Sequence, residues 1–341
     1  VPVTGERGFA TAATLTSAAN AALGPGHEPV TVDRLRGGTK KGVYRLTFDD
    51  ASTAIVYVWD PAEDYWPDSD VDLAHPFSHA SGIELFESAH RQLDALGART
   101  PRLHLADRSG QYFPADIAVV EDIPGETLEA RLWRDPAGTD ETLGRLADAL
   151  DVMQRHRASR FGKVALLEND GKSRGRTCEG LVLARAVDDL DEAAARDQRI
   201  ADAHHTLAEI LHQRAEQVRP RSEYGLIHGE LGPDHVLVDE DANPVLIDIE
   251  GLMFFDIEWE HVFLRTRFGE HYPRLHRGGL DEHRLSLYEL AMRLSLVAGP
   301  LRLLDGDFPD RAGMLQIAEY NLQQALTALA GPAKADGLPP G

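Results

Sequence analysis

The second half of this chain reads as helix almost throughout, and the one stretch that does not is what most constrains its fold. Leu226-Ile227-His228 runs into a loop from Gly229 to Asp234, then Val236-Leu237-Val238, a turn at Asp239 to Pro244, and Val245 to Ile249. Apolar runs parted by Gly, Pro, Asn and Asp predict a strand, a loop and a tight hairpin. The flanking spacing is helical, with Leu143, Leu146, Leu150 and Met153 on one face and Ile200, Leu207, Ile210 and Leu211 on another. From Glu258 to about Ala330 the pattern is helical again, broken by Gly299-Pro300.

The first third is patterned differently. Phe9, Ala12, Leu15 and Ala19 predict an amphipathic helix, too diluted by Thr, Ser and Asn for a signal peptide. Val30 to Asp33, Gly42 to Phe48 and Thr53 to Trp59 predict an antiparallel meander around Gly37, Gly38 and Gly42. Asp60 to His79, rich in Pro, Asp, Trp and Tyr, reads as an insertion covering this lobe. Ile83 to Leu96 has helical period, and strands resume around Gln111 to Val120. Glu121-Asp122-Ile123-Pro124-Gly125 then reads as a linker, dividing a β-rich N-lobe (1–122) from a larger, mainly helical C-lobe (123–341). The fold class expected is α+β.

Charge narrows the function. Against 35 Lys and Arg stand 56 Asp and Glu, a net charge of −21, which repels nucleic acid and anionic membrane surfaces alike. No segment reaches the ~18 consecutive apolar residues of a membrane span. The single cysteine, Cys178, precludes an intramolecular disulfide and reads as a small buried residue. A soluble, cytoplasmic protein is expected.

The run His228-Gly229-Glu230-Leu231-Gly232-Pro233-Asp234-His235, followed by Ile247-Asp248-Ile249-Glu250, resembles the catalytic loop and metal motif of aminoglycoside phosphotransferases, choline kinases and their relatives. The resemblance implies a bilobal protein-kinase-like fold that uses ATP or GTP with Mg²⁺ or Mn²⁺. It places Glu230 where the family's catalytic Asp orients the acceptor hydroxyl, with His228, which opens the loop, as a second catalytic residue. His235 falls on the metal-binding Asn, and Asp248 on the metal-binding Asp. Glu230 has an arm one methylene longer than Asp, from which slow turnover follows. His235 is a structural hydrogen-bonding residue or a ligand better suited to manganese than magnesium, with Asp234 or Glu250 as substitute oxygen ligands. Asp256 and Glu260 resemble the acidic pair that braces the catalytic loop.

The small lobe carries the other half of the resemblance. Leu35 to Leu46 looks like the hairpin that covers the nucleotide phosphates, which implies contacts from Gly37, Gly38, Lys40, Lys41 and Gly42, with Glu87, Glu121 and Ile123 at further nucleotide-site positions. Tyr57 stands where the family's phosphate-binding strand lysine is expected, and it cannot supply that charge. Glu87 is where that lysine's partner would sit. Lys40 or Lys41 can take over the phosphate role, as a glycine-loop lysine does in the with-no-lysine protein kinases; the alternative is that both are solvated turn residues. The activity implied is transfer of the nucleotide γ-phosphate to a hydroxyl of an antibiotic-like small molecule or of a peptide Ser or Thr. The alternative is a pseudokinase that binds or scaffolds a protein partner.

Overall fold

The computed structural model describes residues 7–36, 38–66, 72–276 and 278–330. The chain divides into two compact units, one formed by Val1–Arg174 with Ser222–Gly279 and the other by Gly175–Arg221 with Leu280–Gly341. Among the described residues no helix is long and apolar enough to cross a membrane.

The first unit opens with helix α1 (Ala12–Leu23), capped by Thr11, whose hydroxyl accepts from Thr14 N. Strands β1 (Thr31–Arg34), β2 (Gly42–Thr47), β3 (Thr53–Trp59), β4 (Leu103–Asp107) and β5 (Asp116–Glu121) form an antiparallel sheet in the order β1-β2-β3-β5-β4. Leu15, Ala18 and Ala19 of α1 pack with Tyr44, Leu46, Ala54, Val56, Val58, Ile117 and Val119 of the sheet. Val56 and Val119 pair in register, so the alternating side chains of three strands reach this core together. Helix α2 (Ile83–Ala95) lies between β3 and β4 in sequence. β4 falls outside the expected strands, and the strand expected from Gln111 begins at Asp116.

Beyond the linker come α3 (Leu128–Arg134), α4 (Asp140–Arg155), β6 (Arg157–Ala158), β7 (Gly162–Lys163) and α5 (Val164–Glu168). In the second unit α6 (Cys178–Arg196) and α7 (Gln198–Glu216) bury apolar faces that include Leu181, Leu190, Ile200 and Leu207. The first unit resumes with β8 (Tyr224–Ile227), the hairpin β9 (Val236–Val238) and β10 (Pro244–Leu246), β11 (Met253–Phe255) and α8 (Ile257–Phe268). The second unit ends with α9 (Glu282–Leu303) and α10 (Arg311–Thr327). β6, β8, β11 and β7 form a small sheet from whose central strand, β8, the loop at His228 departs.

Candidate active site

The loop expected to be catalytic is held from beneath. Glu260, fully buried on α8, accepts hydrogen bonds from the backbone N–H groups of His228, Gly229 (3.1 Å) and Leu231 (3.3 Å). Three donors on one carboxylate fix the loop, and they offset part of the burial that pushes the Glu260 carboxyl above its ordinary pKa. Gly229 adopts φ 96°, and a Cβ there would lie 3.1 Å from Gly251 O, so loop and metal segment cross at a point only glycine fits. His228 is also fully buried. Its Nε2–H donates to Ile247 O (3.0 Å), tying the loop to the residue before Asp248.

Glu230 projects outward with its side chain half exposed, and Lys40 Nζ is 3.8 Å from its Oε2. Asp248 sits in the left-handed region (φ 59°, ψ 44°), which few side chains adopt and Asp tolerates better than most. His235 Nδ1 lies 2.8 Å from Glu230 O; a carbonyl only accepts, so Nδ1 carries the proton. In the neutral ring this leaves the Nε2 lone pair 3.8 Å from Asp248 Oδ2 and from Asp234 Oδ2. An imidazole held through N–H···O=C with its other nitrogen facing a carboxylate is the usual posture of a metal ligand, so Asp248 and His235 fit a divalent cation. Asp234 is drawn aside by Arg267 at 2.7 Å. Among the described residues no three His, Cys, Asp or Glu side chains are arranged to hold an ion, so phosphate and water oxygens would complete the shell.

The phosphate-covering hairpin distinguishes its two lysines. Lys41, almost fully buried, donates to Asp248 Oδ1 (2.7 Å) and to Glu250 Oε1 (2.6 Å), and its ammonium stands 5.2 Å from the Tyr57 ring centre. Burial alone would discharge this amine, but Asp248 and Glu250 outweigh it and raise its pKa well above the lysine value. The same contacts hold the Asp248 carboxyl far below the usual carboxylate range against the effect of its burial. Gly42 packs so closely that a Cβ would fall 2.5 Å from the Glu63 carboxyl carbon. Gly38 is part of the same turn; Gly37 lies outside the described residues.

Tyr57 occupies the strand position as the sequence indicates, packed edge-on to Phe86 of α2 at 5.5 Å and to Trp59 at 6.1 Å. Glu87 turns from this cluster to an ion pair with Arg108. Glu121 is engaged by Arg99 (3.3 Å) and by Arg102 N (3.0 Å), and Ile123 is buried. The insertion, described outside 67–71, is a strap. Its Glu63 binds Arg34 (2.8 Å) and Tyr44 of the sheet, while Tyr65 N donates to Thr39 O (2.9 Å) and Ser81 Oγ to Lys40 O (3.0 Å). At its far end Phe77 packs on Phe255 and Trp259, and the fully buried Lys163 donates to Ser78 O (3.1 Å) and Ser78 Oγ (2.9 Å).

Lys163, Ser78 and the pairing of Lys41 with Glu250 have no motif in the sequence. A cavity of only about 10 Å³, room for about one water, remains between Lys40, Ala80, Glu230, Asp248 and Glu250. A larger one of about 480 Å³ opens beside the catalytic loop, lined by Glu129, Trp133, Pro233, Arg267 and His271.

The profile of the phosphotransferase enzyme family matches residues 31–291, a span that takes in hairpin, loop and metal segment together. This chain belongs to that family. Known structures agree on a protein-kinase-like phosphotransferase fold. A thermostable mutant of aminoglycoside phosphotransferase APH(4)-Ia in its apo form superposes with a TM-score of 0.60 at 16% identity, over 89% of this chain and 97% of that one. Spectinomycin phosphotransferase APH(9)-Ia, in complex with ADP and spectinomycin, superposes at 0.62 with 13% identity, over 89% and 94%. A comparison with curated proteins by sequence finds no match. The matched span holds Tyr57 on the strand and Lys41 of the hairpin against Asp248.

Proposed function

We propose that this member of the family transfers the γ-phosphate of ATP or GTP to a hydroxyl, with Lys41 replacing the strand lysine. The observation that carries the reading is the Lys41 ammonium held at 2.7 Å from Asp248, which brings a buried cation to the residue expected to bind the nucleotide's metal. Burying a lysine and the Glu250 carboxylate is costly unless the charges meet, and the pair keeps a cation beside Asp248.

In this reading the acceptor oxygen attacks the γ-phosphorus, an O–P bond forms, the bond to the β–γ bridging oxygen breaks, and ADP or GDP leaves. The hydroxyl proton passes to Glu230, whose exposed carboxylate faces away from the buried brace. Asp248 and His235 would hold Mg²⁺ or Mn²⁺, which when bound neutralises charge on the phosphates. The cavity beside Pro233, with the exposed Trp133 ring and the carboxylates of Glu129 and Glu270 at its walls, suits the body of a small hydroxyl-bearing acceptor or a peptide Ser or Thr.

The test is ADP formation across a panel of amino-sugar and Ser/Thr-peptide acceptors, for wild type and Asp248→Ala with each metal. Acceptor-dependent turnover lost in the variant supports the reading. Equal rates in the two proteins contradict it and favour a binding or scaffolding pseudokinase.

A further inference from the structure

The Lys41–Glu250 contact carries more than a substitution of one lysine for another. In the family resemblance a strand lysine is held by a helix glutamate; here both ends of that pair are spent elsewhere. Tyr57 fills the strand position with an aromatic cluster, and Glu87 is committed to Arg108. An unheld lysine on a glycine-rich turn would be free to follow the hairpin. Lys41 is held by two acids of unequal standing. The Asp248 side chain is 38% exposed, whereas that of Glu250 is 3% exposed and lies two residues further on, in the 3-10 turn Ile249–Gly251 closed by Leu252 N donating to Ile249 O.

We infer that Glu250 is the positioning residue for Lys41, so that the two form a relocated lysine–carboxylate pair in place of the one between strand and helix. This deepens the function proposed above and rests on it. When Asp248 turns to the nucleotide's cation it gives up Lys41, whereas Lys41 is the one cation paired with Glu250 among the described residues. Its Oε2 is buried with no hydrogen-bond partner among the described residues, and releasing Lys41 would strand the whole carboxylate. Glu250 therefore keeps the ammonium at the phosphates through the cycle. It also ties the phosphate lysine to the segment that carries the metal ligand, and not to α2. Lys40 is not interchangeable with Lys41, because its ammonium goes to Glu230 on the acceptor side.

The experiment is calorimetric titration of ATP with Mn²⁺ into wild type, Glu250→Gln, Glu250→Asp and Glu87→Gln, with circular dichroism to confirm folding. Glu250→Gln is expected to weaken ATP binding by roughly tenfold or more, the scale of one charge-assisted bond. Tyr57→Lys with Arg108→Ala, which rebuilds a strand lysine beside a released Glu87, is expected to restore affinity in the Glu250→Gln background. A purely structural role for Glu250 would not be rescued in this way. If Glu250→Gln is not recovered folded, Glu250→Asp decides: the pair predicts a severalfold loss as the shorter arm draws the ammonium back, and wild-type affinity overturns the inference. Loss of affinity in Glu87→Gln with none in the Glu250 variants overturns it too. A wild type that binds no nucleotide under any condition sinks the underlying function instead, so the two failures are distinct.

Discussion

A phenol cannot do an ammonium's work at position 57: burial, opposed by Lys41, pushes the Tyr57 hydroxyl above its ordinary pKa and keeps it neutral. In the proposed function the positive charge for the phosphates comes from Lys41, whose ammonium stands 5.2 Å from the Tyr57 ring centre. The acceptor side turns on Glu230. Glu230→Ala is expected to lower kcat by about 10²- to 10⁴-fold, the usual worth of a general base, while leaving the Kd for ATP within about twofold. Rapid-quench kinetics beside calorimetry checks this, and an unchanged kcat would remove Glu230 from the chemistry. His235 governs the choice of metal. Because an imidazole nitrogen takes the place of a hard oxygen ligand, wild type should be stabilised more by nucleotide with Mn²⁺ than with Mg²⁺. His235→Asn should reverse that order in thermal-shift measurements; the same order in both proteins would mean the ring does not ligate.

Among the elements, the strap is the least expected. It joins the phosphate-side hairpin, through Tyr65, Glu63 and Ser81, to the base of the catalytic loop through Phe77 and Ser78. Its anchor, Lys163, has an unusual titration: burial, helped by Lys40, lowers its pKa from 10.5 to about 8. The folded chain thus binds this proton less tightly than the unfolded chain. The resulting penalty on folding is present in full below about pH 8 and is lifted as pH rises towards 10.5. Wild type should therefore gain stability relative to Lys163→Met between pH 8 and 10, read as the difference in Tm; parallel pH profiles would contradict the placement of the amine.

How much of this was legible follows from the range of each interaction. The hairpin of β9 and β10 and the meander of β2 and β3 announce themselves by alternation and turn residues within a few positions. β4, Leu103-His104-Leu105-Ala106-Asp107, is too short and too mixed to carry a period, and the two-residue strands β6 and β7 carry none. At the site, the loop after His228 and the segment around Asp248 were readable from their local pattern. Which hairpin lysine faces Asp248 was not, because that depends on how β2 leaves its turn against β3. The Lys41–Glu250 and Lys163–Ser78 pairs join residues 209 and 85 positions apart, and only the folded chain brings them together.

At the scale of the molecule, the proposed function asks a chain with net charge −21 to take a polyanionic nucleotide, and Lys40 and Lys41 are the cations the hairpin brings to Glu230, Asp248 and Glu250. The surrounding acidic field disfavours anionic acceptors and raises the local concentration of cationic ones, so cationic acceptors should lose kcat/KM as ionic strength rises. The family match runs from residue 31 in the small sheet to residue 291 in α9 and spans the hairpin, the loop and the Asp248 segment of the proposed site. The most direct test of that site is calorimetric titration of ATP with Mn²⁺ into wild type and Lys41→Met. The account predicts metal-dependent binding in wild type that falls at least tenfold or is lost in the variant, as expected for removal of a buried, charge-assisted phosphate contact. Equal affinity in the two proteins would show that Lys41 only neutralises Asp248 and Glu250, and that the phosphates are held by some other group.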